Sequence, residues 1–491
     1  MDDSRNTYSG ILKAISLFGG VKIFQILISI IRSKVVAVLL GPGGMGISGL
    51  LQSTADTIRS IVCCGLDVSA VKSISSSGNN YSPTIITLRR LIWITGTLGL
   101  VITFVLAPWL SDMAFGNRNY VTAFRIVSAS LLLGQITVGQ TALLQGTFHY
   151  KDMAKSSFYG SIVGLIIVIP LYYLWGVKSI PYVIVISAII ALLFSYYYSH
   201  KIPVDNITLS KGEFKNISKG MLSLGISLAI VGIVNAITAY LLRIYISNEG
   251  GLDEVGLYNA AFAIANTYIG MVLMSMTTDY VPRLSACAGD NAKICELTNK
   301  QIVILSLLVL PLATGFMVFI KPVVTILYST RFIPIMMMLL WVMFGMFFRG
   351  VSWAFSYTFV ARGDSGVFFI NETITAVYML ILSVVGYKYL QLEGLGIAFL
   401  ISYVFYSIQL FFICKKRISF SINRETFKLL CVCFIILLTC FLSSRLINST
   451  VARYVTGIII IGVSFSYSYF ELSKRMDLKG AITAFIHKNK K

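Results

Sequence analysis

The chain has 491 residues, of which 56% are hydrophobic and 12% are charged, and its 40 lysines and arginines against 20 acidic residues give a net charge of +20. A soluble domain carries about 25% charged residues, so this composition excludes an ordinary soluble protein and indicates a membrane protein. The mean hydropathy of +0.82 indicates the same class.

Apolar segments of membrane-spanning length, about 20 residues, recur along the whole chain. The polar start MDDSRNTYSGILK is not followed by a cleavage-site pattern, so we expect no cleaved signal peptide. We predict an all-α multi-pass membrane protein with about 14 transmembrane helices, near residues 14–40, 44–71, 91–111, 121–146, 157–177, 180–198, 220–247, 255–282, 301–328, 332–361, 367–387, 394–414, 429–446 and 454–471.

The distribution of basic residues orients these helices. With the N-terminus inside the cell, most lysines and arginines fall in cytoplasmic loops and tails. The external loops then hold only Arg118, Lys178, Arg331, Lys388, Arg445 and Arg453. This asymmetry follows the positive-inside rule and predicts that both termini are cytoplasmic. Basic runs such as CKKR at 414–417 are then anchors beside anionic headgroups, and nucleic acid is not needed to explain the net charge.

Cysteine and histidine patterns disfavour metal, disulfide and catalytic sites. The eight cysteines have no metal-ligand spacing, and no predicted external loop contains one. The histidines, His149, His200 and His487, fall in cytoplasmic loops or the tail, which favours solvated roles. The predicted external loops are also short, so we expect a protein that is not an enzyme.

The first predicted helix carries a polar stripe through an aliphatic segment. In VKIFQILISIIRSKVVAVLLG, the side chains of Lys22, Gln25, Ser29, Arg32 and Ser33 fall within an arc of about 100°. A charge at the bilayer centre costs roughly 2.5–3.5 kcal/mol on insertion scales, so a repeated polar face indicates contact with water or protein. A binding role for Lys22 and Arg32 is favoured over a purely structural one.

The second predicted helix repeats this pattern with Gln52, Asp56, Arg59, Cys63 and Asp67 on one face. Asp56 and Arg59 are three residues apart, so two interpretations remain open. They form a fixed ion pair, or Asp56 couples transport to an ion while Arg59 binds substrate.

The second half of the chain contains further polar faces. The eighth predicted helix places Asn259 and Asn266 on one face, and the tenth carries Arg349 with no acidic residue in the core of its own helix. Substrate binding by Arg349 is favoured over pairing elsewhere. Arg243 lies near a helix end, so binding and snorkelling to the interface are equally supported. Glu372, nearer a cytoplasmic end, is a second carboxylate that can couple an ion.

The charges inside the predicted spans are mostly basic. They are Lys22, Arg32, Lys34, Arg59, Arg125, Arg243, Lys321 and Arg349. Asp56 is the one deep acid, so the predicted cavity is cationic and its cargo anionic. Guanidinium and ammonium groups suit phosphate, and the aliphatic walls suit a lipid.

An internal repeat organises these faces. The segment RSKVVAVLLGPGGMGISGLLQ at 32–52 parallels RIYISNEGGLDEVGLYNAAF at 243–262, at an offset of about 211 residues. Six spans separate the copies, so both halves enter the membrane in the same direction, as in a parallel repeat. Channels can also contain repeats, so the pattern favours a transporter without proving one.

The repeat predicts two six-helix lobes and two additional helices. The first lobe, with helices 1–6, covers residues 1–200, and a cytoplasmic loop follows at 201–219. The second lobe, with helices 7–12, covers 220–414, and two extra helices with a basic cytoplasmic tail cover 415–491.

The segments VKIFQILISIIRSKVVAVLLGPGGMGISGLLQS and LDEVGLYNAAFAIANTYIGMVLMSMTTDYVPRLS resemble the Wzx-type polysaccharide flippases of the MOP superfamily. The match is closest around Lys22, in the turn Gly41-Pro42-x-Gly44-x-Gly46 and in DEVGLY at 253–258. It covers nearly the whole chain, and the MATE drug exporters and murein lipid flippases are related branches. The resemblance implies two lobes in a V around a cationic central cavity.

The resemblance further implies a bacterial inner-membrane protein that flips an undecaprenyl-diphosphate-linked O-antigen or similar repeat unit to the periplasmic leaflet, as in lipopolysaccharide biosynthesis. We expect the diphosphate against Lys22, Arg32, Arg59 and Arg349, and the sugar in the hydrated cavity. Lys22 carries the family role because its surrounding sequence matches, whereas Arg59 and Arg349 rest on the polar stripes. The predicted substrate-binding set is Lys22, Gln25, Arg32, Arg59, Asn259, Asn266 and Arg349.

The implied partners are the lipid-linked glycan, membrane lipids, a polysaccharide polymerase and a chain-length regulator. No bound cofactor is expected, and a proton or sodium gradient, acting through Asp56 or Glu372, is the implied energy source. Two related functions remain as alternatives: a murein lipid flippase and a MATE-type ion-coupled exporter. An exporter of cationic drugs would be expected to have an acid-rich cavity, which disfavours that alternative.

Overall fold

The computed structural model describes the backbone of residues 2–78, 80–205 and 207–475, with side chains from residue 24 onward except at 26, 228 and 278. This part of the chain is helical almost throughout, which confirms the predicted all-α class.

The chain forms two compact units. The first comprises Met1–Asn259 and Leu327–Arg331, and the second comprises Ala260–Ile326 and Phe332–Lys491. The helices are α1 (Asp2–Cys63), α2 (Leu66–Ser76), α3 (Ser82–Val105), α4 (Ala107–Phe115), α5 (Val121–Gly146), α6 (Tyr150–Trp175), α7 (Ile180–Ser199), α8 (Lys211–Ala286), α9 (Asn291–Val318), α10 (Ile320–Leu327), α11 (Met336–Arg362), α12 (Ser365–Ile418), α13 (Arg424–Leu446) and α14 (Thr450–Ser473), with 3-10 turns at Gly176–Ser179 and Thr330–Ile335.

Ten helical stretches of the described chain are long and apolar enough to cross a membrane. The four longest are Leu27–Cys63, Tyr150–Ser199, Ala229–Ala286 and Ser365–Ile418. Each contains a local break in the helix, at Gly41, at the 3-10 turn Gly176–Ser179, at Gly251 and at Gln391 respectively. One crossing takes about 20 residues, so each of these stretches is long enough to turn back. A total of fourteen crossings stays a prediction.

The breaks in α1 and α8 lie at equivalent positions of the sequence repeat. Gly41 has φ 68° and Gly251 has φ 83°, a left-handed backbone that glycine adopts without a steric penalty. Five residues further on, a Cβ added at Gly46 would overlap the carbonyl oxygen of Leu252. A Cβ at Gly256 would likewise overlap the carbonyl oxygen of Pro42. Reciprocal glycines therefore bring the backbones of the two repeated segments into direct contact.

Each unit has its own apolar core. In the first unit, α5 packs against α3 and α7, and Leu66, Leu88 and Leu143 are almost fully buried. In the second unit, α11 packs against α9 and α12 around Phe355 and Phe359. Lipid is as apolar as these side chains, so helix association in a membrane depends on close packing and interhelical hydrogen bonds.

Asn299 fixes the segment between α12 and α13. Its side chain is 3% exposed, and its Nδ2 donates to the carbonyl oxygen of Ser421 at 3.0 Å. Its Oδ1 accepts a hydrogen bond from the backbone nitrogen of Asn423 at 3.2 Å. A buried amide that satisfies backbone groups in this way positions the start of α13.

The predicted loop at 201–219 becomes helical at Lys211, the first residue of α8. Ser210 and Glu213 form a capping box: the backbone nitrogen of Ser210 donates to the Glu213 carboxylate at 2.9 Å, and that of Glu213 donates to Ser210 Oγ at 3.2 Å. The hydrogen bonds from Ser210 lower the pKa of Glu213. Hydropathy did not reveal this helix start because its first turn is polar.

Candidate functional site

Two neighbouring cavities lie inside the first unit, and the side chain of Arg32 lines both. The first cavity has a volume of about 330 Å³ and is also lined by Gln52, Asp56 and Arg59 of α1. The second has a volume of about 360 Å³ and is also lined by Gln25 and Ser29 of α1. The remaining walls come from α5, α6 and α7. The polar stripes predicted for the two halves of α1 thus line neighbouring spaces.

Arg32 is half-buried at the junction of these cavities. Its guanidinium interacts with the phenol of Tyr172, which is 2% exposed. Among the described residues, Arg32 takes part in no ion pair. A guanidinium offers five N–H donors in a planar fork, so Arg32 retains donors for an anionic ligand.

Arg59 and Asp56 form an ion pair at 3.6 Å along α1, between Arg59 Nη2 and Asp56 Oδ1. Both side chains remain about half-exposed or more, at 47% and 65%. An exposed pair of this kind contributes about 0–1 kcal/mol. The ion pair therefore forms, as one of the two interpretations predicted. Because it can separate at little cost, Arg59 remains available to a ligand in the first cavity.

Asn259 and Arg243 bind each other elsewhere in the first unit. Arg243 Nε donates to Asn259 Oδ1 at 2.9 Å, and Arg243 Nη1 donates to the carbonyl oxygen of Ala239, also at 2.9 Å. The Arg243 guanidinium also lies over the ring of Tyr258, 5.6 Å from its centroid. The Asn259 amide sits directly against Gly49, where a Cβ would overlap it. Asn259 lines neither of the two cavities.

Asn266 and Arg349 meet in the second unit. Arg349 Nη1 donates to Asn266 Oδ1 at 2.6 Å, and the guanidinium lies 5.7 Å from the centroid of the Tyr403 ring. Arg349 Nη1 also lies 3.8 Å from the neutral Met346 Sδ, and no ion pair of the described chain includes Arg349. The two predicted residues thus form a second cationic position, which lies in the second unit.

Glu372 lies in a group of hydroxyls in the second unit. Its carboxylate accepts hydrogen bonds from Ser356 Oγ at 3.1 Å and from the hydroxyl of buried Tyr406. Tyr406 Oη also lies 3.3 Å from Ser356 Oγ. Within the described chain, Glu372 forms no ion pair and is held by hydroxyl donors, whereas Asp56 pairs with Arg59.

Lys22 belongs to the predicted binding set, but its side chain lies outside the described residues, so its role stays a prediction. Several lining residues were missed by the sequence analysis: Thr137, Thr141, Ser156, Ser157, Ser161 and Ser187. In the sequence, these residues could have been noticed by the spacing of four residues between Thr137 and Thr141 and between Ser157 and Ser161. That spacing places each pair on one helix face.

A family model described as "Polysaccharide biosynthesis protein" matches residues 35–337. The chain belongs to this family. The Lipid III flippase of Escherichia coli K12 is 23% identical over 361 residues, covering 69% of this chain and 82% of that protein. The Lipid III flippase of Shigella flexneri has the same identity and coverage.

Solved structures show the same fold at low sequence identity. An inward-facing multidrug resistance MATE family transporter of the MOP superfamily matches with a TM-score of 0.69 and 18% identity, over 80% of this chain and 94% of that one. The lipid II flippase MurJ in an inward closed conformation matches with a TM-score of 0.66 and 14% identity, over 93% and 99%. The chain is thus a multi-pass membrane protein with a fold of the MOP type, and the relatives it matches are named as flippases and transporters.

Proposed function

We propose that this polysaccharide biosynthesis protein flips an undecaprenyl-diphosphate-linked oligosaccharide across the bacterial inner membrane. The cargo is an O-antigen or related surface polysaccharide repeat unit, and it moves from the cytoplasmic to the periplasmic leaflet by alternating access. The flippase names of the relatives support a lipid-linked cargo, and the family description supports a glycan.

The observation that carries this proposal is the placement of Arg32. It is a cation inside a membrane helix, it lines two cavities, and it has no acidic partner in the described chain. A charge inside a membrane helix is costly, and charges that are retained there commonly mark a binding site or transport pathway. Arg59 lines the same first cavity, so two guanidiniums can bind the two phosphates of a lipid diphosphate. Lys22, from the same stripe, is proposed to extend this cationic surface.

Asp56 and Glu372 are proposed to couple flipping to a proton or sodium gradient. Asp56 can exchange its Arg59 partner for an ion or a proton at little cost because the pair is half-exposed. Glu372 can take up a proton among the hydroxyls of Ser356 and Tyr406. Both roles need binding that differs between inward and outward states.

Loss of the gene in its host tests the proposed cargo. We expect lipid-linked single repeat units to accumulate and surface polysaccharide to disappear, measured by lipid extraction with mass spectrometry and by glycan gels. Normal surface glycan with altered drug susceptibility would instead indicate a MATE-type exporter. Arrest of cell-wall synthesis with accumulation of lipid II would indicate a murein lipid flippase.

A further inference from the structure

Serines and threonines make up 8 of the 15 residues that line the second cavity of the first unit. Arg32 and Gln25 lie on its α1 wall, and the other polar groups are serines and threonines of α1, α5, α6 and α7. Asp56 and Arg59 line the first cavity and are absent from this lining. Its volume of about 360 Å³ falls within the range of about 300–1,000 Å³ typical of ligand pockets.

One of these hydroxyls, that of Ser187, lines both cavities and lacks a hydrogen-bond partner within the described chain. Ser187 Oγ is buried. Ser156 is 5% exposed and lines the same cavity. A buried polar group without a partner is costly, so the Ser187 hydroxyl indicates a polar occupant of the cavity.

Glycine keeps part of the α6 wall open. A Cβ added at Gly164 would have no atom within 4 Å, and one at Gly160 would only contact the ring of Phe194 at 3.8 Å. Larger side chains at these lining positions would therefore project into the second cavity. The second cavity is therefore open at its α6 wall because Gly160 and Gly164 have no side chains.

We propose that the second cavity is a subsite for the sugar residue attached to the diphosphate. This inference rests on the proposed function. In this arrangement Arg32 and Arg59 hold the diphosphate at the first cavity. Because Arg32 also lines the second cavity, the sugar attached to the diphosphate lies in the second cavity. The hydroxyls of Ser156 and Ser187 then hydrogen-bond to sugar hydroxyls, because each can both donate and accept.

The position of the cavity agrees with loading from the cytoplasm. Ser156 is near the start of α6 and Ser195 is near the end of α7. The positive-inside orientation places both of these helix ends on the cytoplasmic side. Cargo entering from that leaflet meets the sugar subsite first.

Binding of two defined lipids to the full chain in nanodiscs tests this subsite. One probe is undecaprenyl diphosphate, and the other is the same lipid carrying one hexose or one N-acetylhexosamine. The wild-type protein is expected to bind a glycosylated probe about tenfold more tightly, as one to two added hydrogen bonds would give. Gly164→Leu should abolish this preference and leave binding of undecaprenyl diphosphate unchanged. The unchanged binding would also show that the variant is folded. Ser187→Ala should reduce the preference without adding volume.

Gly462→Leu is the matched control, because Gly462 of α14 also has open space around its Cβ position and lies outside both cavities. It should retain the full preference. If Gly164→Leu keeps the preference, or if the wild type binds all probes equally, the sugar subsite is wrong while the proposed function stands. If the wild type binds none of them, the proposed function fails and the subsite fails with it.

Discussion

Replacing Arg32 by glutamine removes the one guanidinium that lines both cavities and keeps a polar side chain there. A hydrogen bond to a charged group contributes about 1.5–3 kcal/mol. Since about 1.4 kcal/mol corresponds to a tenfold change in affinity, we expect the Kd for undecaprenyl diphosphate to rise about 10- to 150-fold. Arg32→Lys keeps the charge and loses the planar fork, so its Kd should lie between those of the wild type and Arg32→Gln.

The assay is equilibrium binding of undecaprenyl diphosphate to purified protein in nanodiscs. Arg125→Gln is the matched control, because Arg125 is a basic residue of α5 in the same unit that lines neither cavity. It is exposed, and its guanidinium lies over the ring of Phe104, 5.3 Å from the centroid. This variant removes the same formal charge and should bind as the wild type does.

Two results would refute the reasoning about Arg32. Wild-type affinity in Arg32→Gln would mean that the diphosphate binds elsewhere. An equal loss in Arg32→Gln and Arg125→Gln would mean that net charge, and not the position of Arg32, determines affinity. In cells, Arg32→Gln should abolish surface glycan while the protein stays abundant in the membrane.

Three further predictions concern the fold and access to the cavities. Gly256→Ala forces a methyl group against a backbone carbonyl, and such overpacking should lower the free energy of unfolding by about 1–3 kcal/mol; Gly232→Ala, at a position with open space, should not lower the thermal unfolding temperature. Asn299→Leu leaves buried backbone groups without partners and should destabilise the protein by about 1–3 kcal/mol; an unchanged unfolding temperature would contradict the role assigned to its amide. A cysteine at Ser29, which is exposed and lines the second cavity, should react with a membrane-impermeant thiol reagent faster than a cysteine at Ala37, which is 0% exposed. Labelling is measured as a mass shift against the parent chain. Equal labelling at the two positions would remove the evidence for a hydrated stripe.

Helical periodicity accounts for the part of the site that could be predicted from the sequence. Gln25, Ser29 and Arg32 share one face because residues three and four apart lie above one another on a helix, and charges in an apolar segment make that face visible. Arg59 and Asp56 were predictable for the same reason. The sequence does not show which faces adjoin, and this information comes from helix packing.

The residues that were missed, or whose partners differ from those expected, lack such a signal. Serine and threonine are common in membrane helices, where a hydroxyl can bond to the carbonyl four residues earlier, as Ser161 does to Ser157 at 2.7 Å. Their presence therefore does not distinguish a cavity wall from a packed face. Asn259 and Asn266 appear equivalent on a helical wheel, and each accepts a hydrogen bond from an arginine, but Asn259 packs against Gly49 and lines neither cavity of the first unit.

The energetics of the Asp56–Arg59 pair limit its role in transport. A half-exposed ion pair is worth about 0–1 kcal/mol, so opening or closing it changes the affinity of Arg59 for an anion by about fivefold at most. Moving a two-state equilibrium from 1:99 to 99:1 requires about 5.5 kcal/mol of differential binding. Breaking this ion pair by itself therefore supplies only a small part of the free energy for a complete switch between inward and outward states. We therefore propose that a proton- or sodium-coupled switch uses a further group, and Glu372, whose carboxylate accepts hydrogen bonds from Ser356 and Tyr406, is the candidate in the second unit.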